Sequence, residues 1–375
     1  MKKTFDIAII GGGVIGMSLA RALAARGAEL ALFDASVSVP PATNAAAGML
    51  APSFEHGHGG DCVSEALYHF GAHSLSLWPN YAAALEEETG QFIDFRGDGA
   101  LGLAYTEAHA NELGEQASRV AARGGDASII SGDDARAMEP ALSKEILCAL
   151  WAPNDAQVDP KRLLIALRAA VEKKAVQLFP EKVARIDVED NGPRCTTFSG
   201  EAFSARKIVV AGGAVSGLVD AGLVFPVKGD ATAIEIEEGF LTRVVRAPGA
   251  YLCPKAGGRL VIGASEEYGR DGDAVDAKAI ETLQANAAIA APQLKGSKEL
   301  ERWTGLRPGT PDAAPILGQT DTGVYLALGH YRNGVLHAPA SAQEMTALIL
   351  DGEASEYLES FNPSRFGKDK ALQHG

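Results

Sequence analysis

Long apolar runs are missing from this chain of 375 residues. None approaches the roughly 20 consecutive residues that a membrane helix needs, so no membrane partner is expected. Cysteine is scarce, and Cys62, Cys148, Cys195 and Cys253 stand far apart with no C-x-x-C spacing. That excludes a disulfide scaffold, argues against a structural zinc site and fits a reducing compartment, the cytoplasm. Positive charge is in deficit: the net charge is −14. With no basic stripe to offset it, nucleic acid and anionic membrane surfaces are disfavoured as partners. His56 and His58 fall in the glycine-rich run FEHGHGG, which reads as a mobile loop rather than a metal-ligand cluster. A secretory leader is not expected either, because the apolar run at residues 7–10 is short and three glycines follow it at once.

What is present is an ordinary globular composition, 46% hydrophobic and 22% charged. The strongest local signal is FDIAIIGGGVIGMSLARALAARGAELALFDAS. A short apolar strand leads into Gly11, Gly13 and Gly16, spaced G-x-G-x-x-G. A helical apolar face follows at Val14, Ile15, Leu19 and Leu23, then Gly27 as helix stop, then a second strand ending at Asp34. This is a complete β-α-β unit with an acid about twenty residues on, the pattern of a dinucleotide site. Gly11 permits the tight turn, Gly13 lets backbone approach a pyrophosphate, and Gly16 lets helix and strand pack. The helix N-terminus offers N–H groups to phosphate, and Asp34 suits ribose hydroxyls. The loop alone does not separate a nicotinamide from a flavin dinucleotide. Its place near the start of the chain, and the lack of a second such loop, favour FAD. The run KIVVAGGAVSG, with Gly212, is another strand-then-glycine element but lacks the dinucleotide spacing.

Further along, ATNAAAG is a run of small residues suited to backbone lying close to something bulky. Residues 64–89 read as one long helix or two, 91–106 as paired strands, and 107–140 as helical and polar. ILCALWAP reads as a strand, and Pro160 opens a helix at the favoured first turn. Short strands follow to Gly212, a strand-rich antiparallel region covers 223–270, and a helix is expected near 275–290. The reading is an α/β fold, with a Rossmann-like nucleotide-binding domain in pieces at 1–85, 155–222 and 305–365. A β-rich substrate domain is inserted at 86–154 and 223–304, and 366–375 is a polar tail. Nothing in the sequence decides whether the chain forms a homo-oligomer. GHYRNGVLHAPA sets Arg332 and Asn333 before a late helix with apolar residues Met345, Leu348 and Ile349 and a stop at Gly352. An ordinary helix cap accounts for Asn333 and Gly334 but not for Arg332.

Several stretches together, ATNAAAGMLAP, FPVKGDA, YLCPKAGGRLVIGASEE, WTGLRPGTPDAAPILG and GHYRNGVLHAPA, are similar to the glycine oxidase family in the D-amino-acid oxidase superfamily of flavoproteins. The resemblance spans about residues 5–350. It implies noncovalent FAD, a glutathione-reductase-like cofactor fold, and oxidation of a small amino acid or amine with dioxygen as acceptor. Several members of the family serve thiamine biosynthesis. Carried over by position, the resemblance sets FAD against Val14, Ile15 and Asp34, and against Thr43, Asn44, Ala47, Gly48 and Met49. It sets the backbone of Val183 at adenine and residues 330–336 (His330, Tyr331, Arg332, Asn333, Gly334, Val335, Leu336) around the flavin ring. Substrate would meet Tyr251, Arg307 and Arg332. Asn44 stands where relatives often have serine. Glu266 stands where relatives vary; it either borders the substrate pocket, where it would repel an acidic side chain, or lies on the surface.

The chemistry the resemblance implies is hydride transfer from Cα of the amine to the flavin, and it needs no side-chain base. Backbone N–H groups at 333–336 would face the negative charge that a reduced flavin acquires. Arg307 precedes a proline, which biases it to extended backbone, and its planar fork could hold a carboxylate with two parallel bonds. From the residues alone a surface salt bridge serves Arg307 as well, and a core position serves Tyr251. Two other readings stay open: an amine dehydrogenase that passes electrons to a quinone or protein, and a non-catalytic flavin-binding subunit. A nicotinamide dehydrogenase is the more distant alternative.

Overall fold

The structure, a computed structural model, describes residues 4–35, 42–55, 62–189, 192–215, 217–219, 222–269, 272 and 274–367. The expectations for His56 and His58 and for most of the C-terminal tail fall outside these residues.

The apolar alternation of FDIAII becomes the strand Thr4–Ile10, at the centre of a sheet of eight strands among the described residues. It pairs in parallel with Leu30–Phe33 on one side and Ala202–Val210 on the other. Gln177–Phe179 extends the parallel order beyond Leu30–Phe33, and Tyr325–Leu328 extends it beyond Ala202–Val210. Ile316–Gln319 closes the edge antiparallel. Both faces of the central strand are covered, as parallel sheets require. Ile7 and Ile9 point into a core made with the helices Val14–Ala25, Cys62–Thr89, Pro160–Lys173 and Gly334–Asp351. Phe5, Ala8 and Ile10 point into a second core around Phe33, Phe179 and Phe203, whose rings sit 4.7–5.1 Å apart.

The second lobe is a sheet of nine strands among the described residues. Phe225–Glu235, Arg259–Gly263 and Ala250–Lys255 run each antiparallel to the next, and Glu299–Gly309 joins the free edge of the first. One pair departs from the expected antiparallel order: Val244–Ala247 lies parallel to Ala100–Ala104. Alternation splits this sheet too. Leu252, Leu260, Ile262 and Ile234 pack beneath the helix Ala277–Ala290. The other face turns to the first lobe with Cys253, Val261, Ala100 and Leu150 around Ala47 and Phe54.

Two local expectations need correcting. Residues 91–106 do not form paired strands. Only Ala100–Ala104 is a strand, and its partners are Cys148–Ala152 and Val244–Ala247, because apolar alternation reports burial but not which strand is the neighbour. The stretch 107–140 is not helical throughout, since the strand Ser128–Ser131 separates Glu107–Ala122 from Gly132–Met138. Ser131 then caps the second helix by accepting from the Asp134 N–H, a polar signal that ends one element and begins another. In addition, Glu299–Gly309 pairs with Phe225–Glu235 along its length, so residue 305 falls inside a strand of the second lobe. Among the described residues no helix is long and apolar enough to cross a membrane.

Candidate functional site

Parallel strands deliver their chain ends to one edge, and a crevice there is where open α/β sheets bind ligands. In this sheet Ile10 is followed by Gly11, Phe33 by Asp34, Val210 by Ala211-Gly212, and Leu328 by Gly329-His330. Residues up to 320 positions apart therefore meet at one rim for a single topological reason.

The glycine loop is tight on one side and open on the other. Gly11 has φ +123°, and a Cβ there would strike the Ala211 carbonyl. A Cβ on Gly16 would strike the Gly11 carbonyl, which is why helix and strand can pack. Gly13 differs: the nearest atom to its Cβ position is the Thr43 hydroxyl, at 3.6 Å. Gly213 has no neighbour within 4 Å of that position, and Gly334 has only the His330 Cβ at 3.7 Å. Three glycines on three elements thus border space that the described residues leave unfilled, and the residues present fit a dinucleotide. Thr43 holds the loop by accepting from the Val14 N–H at 3.2 Å. Ile15 and Asn44 are half-buried here, and Ala47 is buried.

The segment 42–50 is pressed between the lobes. The Trp303 indole donates to the Ala45 carbonyl at 3.0 Å, Gly305 faces Ala45, and Val158 N–H donates to the Gly48 carbonyl at 2.9 Å. Met49 pairs with Gln157. The Lys255 ammonium, buried and with its pKa pushed down to about 8 by that burial, donates to the Val158 carbonyl at 2.9 Å. Small side chains at 45–48 are what allow so close an approach. Val183 is buried against the second core.

The Asp34 carboxylate is buried and accepts from Arg168 at 2.8 Å. Gly12 lies directly beneath it, where a Cβ would collide with the carboxylate. Sequence reading named neither partner. Gly12 had a signal, the middle glycine of the run, whereas Arg168 lies 134 positions from Asp34 and had none.

At the last long helix, Gly329 (φ +69°) and Tyr331 (φ +47°) turn the chain sharply before the helix begins at Gly334. The first helical bond runs from the His337 N–H to the Asn333 carbonyl at 2.8 Å, so the N–H groups of Gly334, Val335 and Leu336 precede it. The Asn333 N–H is already given to the His330 carbonyl, which removes it from the donors expected there. Pro339 lies inside the helix, where it cannot donate. Ser74 and Trp78 satisfy the nearby Leu336 carbonyl at 2.6 and 3.0 Å. His330 is buried and its Nε2 meets the Ser341 hydroxyl at 3.0 Å; burial pushes its pKa down to about 3. Burial, and then the neighbouring His330, hold His337 low as well.

Arg307 lies on the second lobe's sheet, on the face turned to the first lobe. Its guanidinium rests on Gly229 and donates to the carbonyls of Ser265 at 3.2 Å and Lys228 at 3.4 Å. No carboxylate of the described residues lies within 4.0 Å of it, so a surface salt bridge is not its role in this structure. Tyr251 sits three strands over with its ring against Gly263. Burial, and then Cys253, push its hydroxyl's pKa well up, with Arg307 and Arg246 pulling the other way. Arg332 is placed differently from Arg307: Glu55 lies 3.5 Å and Glu266 3.8 Å from its nitrogens. Glu266 therefore stands beside Arg332, which the resemblance sets at the site. It also accepts from the hydroxyls of Tyr331 and, at 2.8 Å, Tyr268. Glu55, Gly229 and Tyr268 were not singled out from sequence. Glu55 and Tyr268 carry no local pattern, and Gly229 stood unremarked within FPVKGDA.

Comparison with known proteins adds a second line of evidence. The family described as DAO, FAD dependent oxidoreductase, matches residues 6–348. A glycine oxidase of Geobacillus kaustophilus is 32% identical over 97% of this chain and 98% of its own. A bifunctional ThiO/ThiG protein of Synechocystis is 31% identical over 98% of this chain, which spans 55% of that protein. The crystal structure of glycine oxidase from Geobacillus kaustophilus superposes with a TM-score of 0.89 at 30% identity, over 99% of this chain and all of the other (100%).

Proposed function

This chain belongs to the FAD-dependent oxidoreductases of the DAO family, and from that premise we propose that it oxidises glycine or a comparably small amino acid or amine. The observation that carries the reading is one hydrogen bond. The Tyr331 N–H donates to the Pro308 carbonyl at 2.9 Å, which sets the start of the last helix beside Arg307. A ring-shaped ligand at that helix start and a carboxylate on that guanidinium would be neighbours.

When bound, FAD supplies a two-electron acceptor for the hydride that leaves Cα. The residues of the chain do the positioning. Gly11, Gly13 and Gly16 with Val14, Ile15 and Gly212 take the pyrophosphate, Asp34 the ribose, and the Val183 backbone the adenine. Thr43, Asn44, Ala47, Gly48 and Met49 line the path to the flavin. Residues 330–336 surround the ring, where the N–H groups of Gly334, Val335 and Leu336 favour negative charge. Arg307 holds the substrate carboxylate through its planar fork, and Tyr251 adds a hydroxyl. Catalysis then rests on orientation and electrostatics, with no side-chain base assigned. The imine product hydrolyses in water, to glyoxylate and ammonia if glycine is the substrate, and dioxygen takes the electrons as hydrogen peroxide. Thiamine thiazole synthesis is the proposed setting, in keeping with the ThiO/ThiG relative. The proposed location is the cytoplasm, in keeping with the free thiols of Cys148, Cys195 and Cys253. The cofactor lobe is proposed as residues 1–85, 155–222 and 310–365, with the boundary moved from 305 to keep Glu299–Gly309 whole.

The test is anaerobic titration of the yellow protein with glycine, sarcosine and D-alanine, followed by air. Bleaching by at least one of them and peroxide on reoxidation is the expected result. Bleaching without peroxide would favour a dehydrogenase, and no bleaching by any small amine would overturn the enzymatic reading.

A further inference from the structure

Three segments close on one another at the substrate side. Arg307 donates to the Ser265 carbonyl, and Glu266 is the next residue. Glu266 faces Arg332 across 3.8 Å and accepts from the Tyr331 hydroxyl. Tyr331 returns to Pro308, the neighbour of Arg307, through its backbone N–H. Two guanidiniums are thereby held near one another, and the difference between them is what each has as a partner. Arg332 has two carboxylates, those of Glu55 and Glu266. Arg307 has only carbonyls among the described residues.

We propose that Glu266 is a specificity-determining residue, which occupies Arg332 and so reserves the site for substrates with one carboxylate. The inference rests on the reading of Arg307 as the substrate's anchor. A first carboxylate meets an unneutralised guanidinium. A second would meet Arg332 already flanked by two acids, and would have to displace Glu266 or lie beside it as a like charge, which is unfavourable. Glu266 cannot swing away cheaply, because leaving breaks its bonds from Tyr331 and Tyr268 as well as its pairing with Arg332. The tyrosine pair, 3.0 Å apart at their hydroxyls, fixes the carboxylate rather than the substrate. The substrate class is accordingly neutral-side-chain amino acids and amines with one acid group.

The test uses the holoenzyme and two carboxylates that cannot be oxidised, acetate and malonate, titrated at pH 8 while the visible absorbance of the flavin is followed. The parent protein should bind acetate more tightly than malonate. Glu266→Gln keeps the size and removes the charge, and should move the ratio of the two dissociation constants at least tenfold toward malonate. Tyr268→Phe, which removes one donor to Glu266, should move it in the same direction by less. A purely structural role for Glu266 would weaken both ligands alike, so an unchanged ratio in Glu266→Gln overturns the proposal. If that variant loses its flavin, the Tyr268→Phe ratio decides in the same way. A parent flavin spectrum that acetate does not perturb would reject the Arg307 anchor itself, and this inference with it.

Discussion

Arg307 and Asp155 show how much one side chain's partners decide. Arg307 rests on Gly229 and gives its hydrogen bonds to carbonyls, so its charge is not neutralised by the described residues around it. Arg307→Ala should leave the protein yellow and weaken acetate binding about 10–100-fold, since charge-assisted hydrogen bonds contribute about 1.5–3 kcal/mol. Unchanged acetate affinity would remove its assigned role. Asp155 is fully buried with one oxygen bonded to the Ser53 hydroxyl at 2.9 Å and the other without a hydrogen-bond partner among the described residues. Burial pushes its pKa up to about 7. A folded pKa above the unfolded one means that the proton is held more tightly in the folded state. Stability from this group is therefore present at acid pH and lost as pH rises from about 4 through 7. Asp155→Asn should raise the melting temperature at pH 8 and change it little at pH 5; a rise at both, or at neither, would contradict this account.

Elements position these residues, and the glycine loop shows how. Gly16 is needed for contact between the helix Val14–Ala25 and the strand before it, whereas a Cβ on Gly13 would meet no atom of the described residues closer than 3.6 Å. The two should therefore separate in experiment. Gly13→Ala is expected to fold with an unaltered apoprotein melting temperature while retaining much less FAD. Gly16→Ala should lose both, because its methyl would enter the Gly11 carbonyl. Equal apoprotein stability in the two variants, measured by thermal melts followed by circular dichroism, would refute the distinction. On the second lobe, Gly229→Ala should displace the Arg307 guanidinium, raising KM without loss of colour.

At the scale of the whole molecule, the helix Gly334–Asp351 is packed around groups whose burial disfavours a charge. His330 and His337 are buried beneath the start of the last helix, with folded-state pKa values held below the ordinary value of 6.5. A depressed folded pKa on a base means that the unfolded chain takes up protons first, so stability is lost as pH falls below about 6.5 toward 3. Asp155 works in the opposite sense between about 4 and 7, but as one group against two. The melting temperature of the apoprotein should therefore fall as pH drops from 6.5 to 4, and His337→Asn should flatten that slope. A parent melting temperature that rises over this range would contradict the assignment.

Local physics made much of this legible in the sequence. The β-α-β unit at the start, the helix opened by Pro160, the helix Ala277–Ala290 and the helix stop at Gly352 each depend on spacing or on a cap within a few residues. The rim residues Gly11, Asp34, Gly212 and His330 were identifiable because each follows an apolar strand or belongs to a motif. The partners were not. Arg168 bonded to Asp34, Gly229 under Arg307, and Glu55 beside Arg332 come from distant segments, and only strand pairing and lobe packing bring them within reach. For the same reason the neighbour of Ala100–Ala104 and the course of Glu299–Gly309 were decided by the tertiary structure. An amphipathic pattern states which face is buried, but not which surface, of all those the chain offers, comes to cover it.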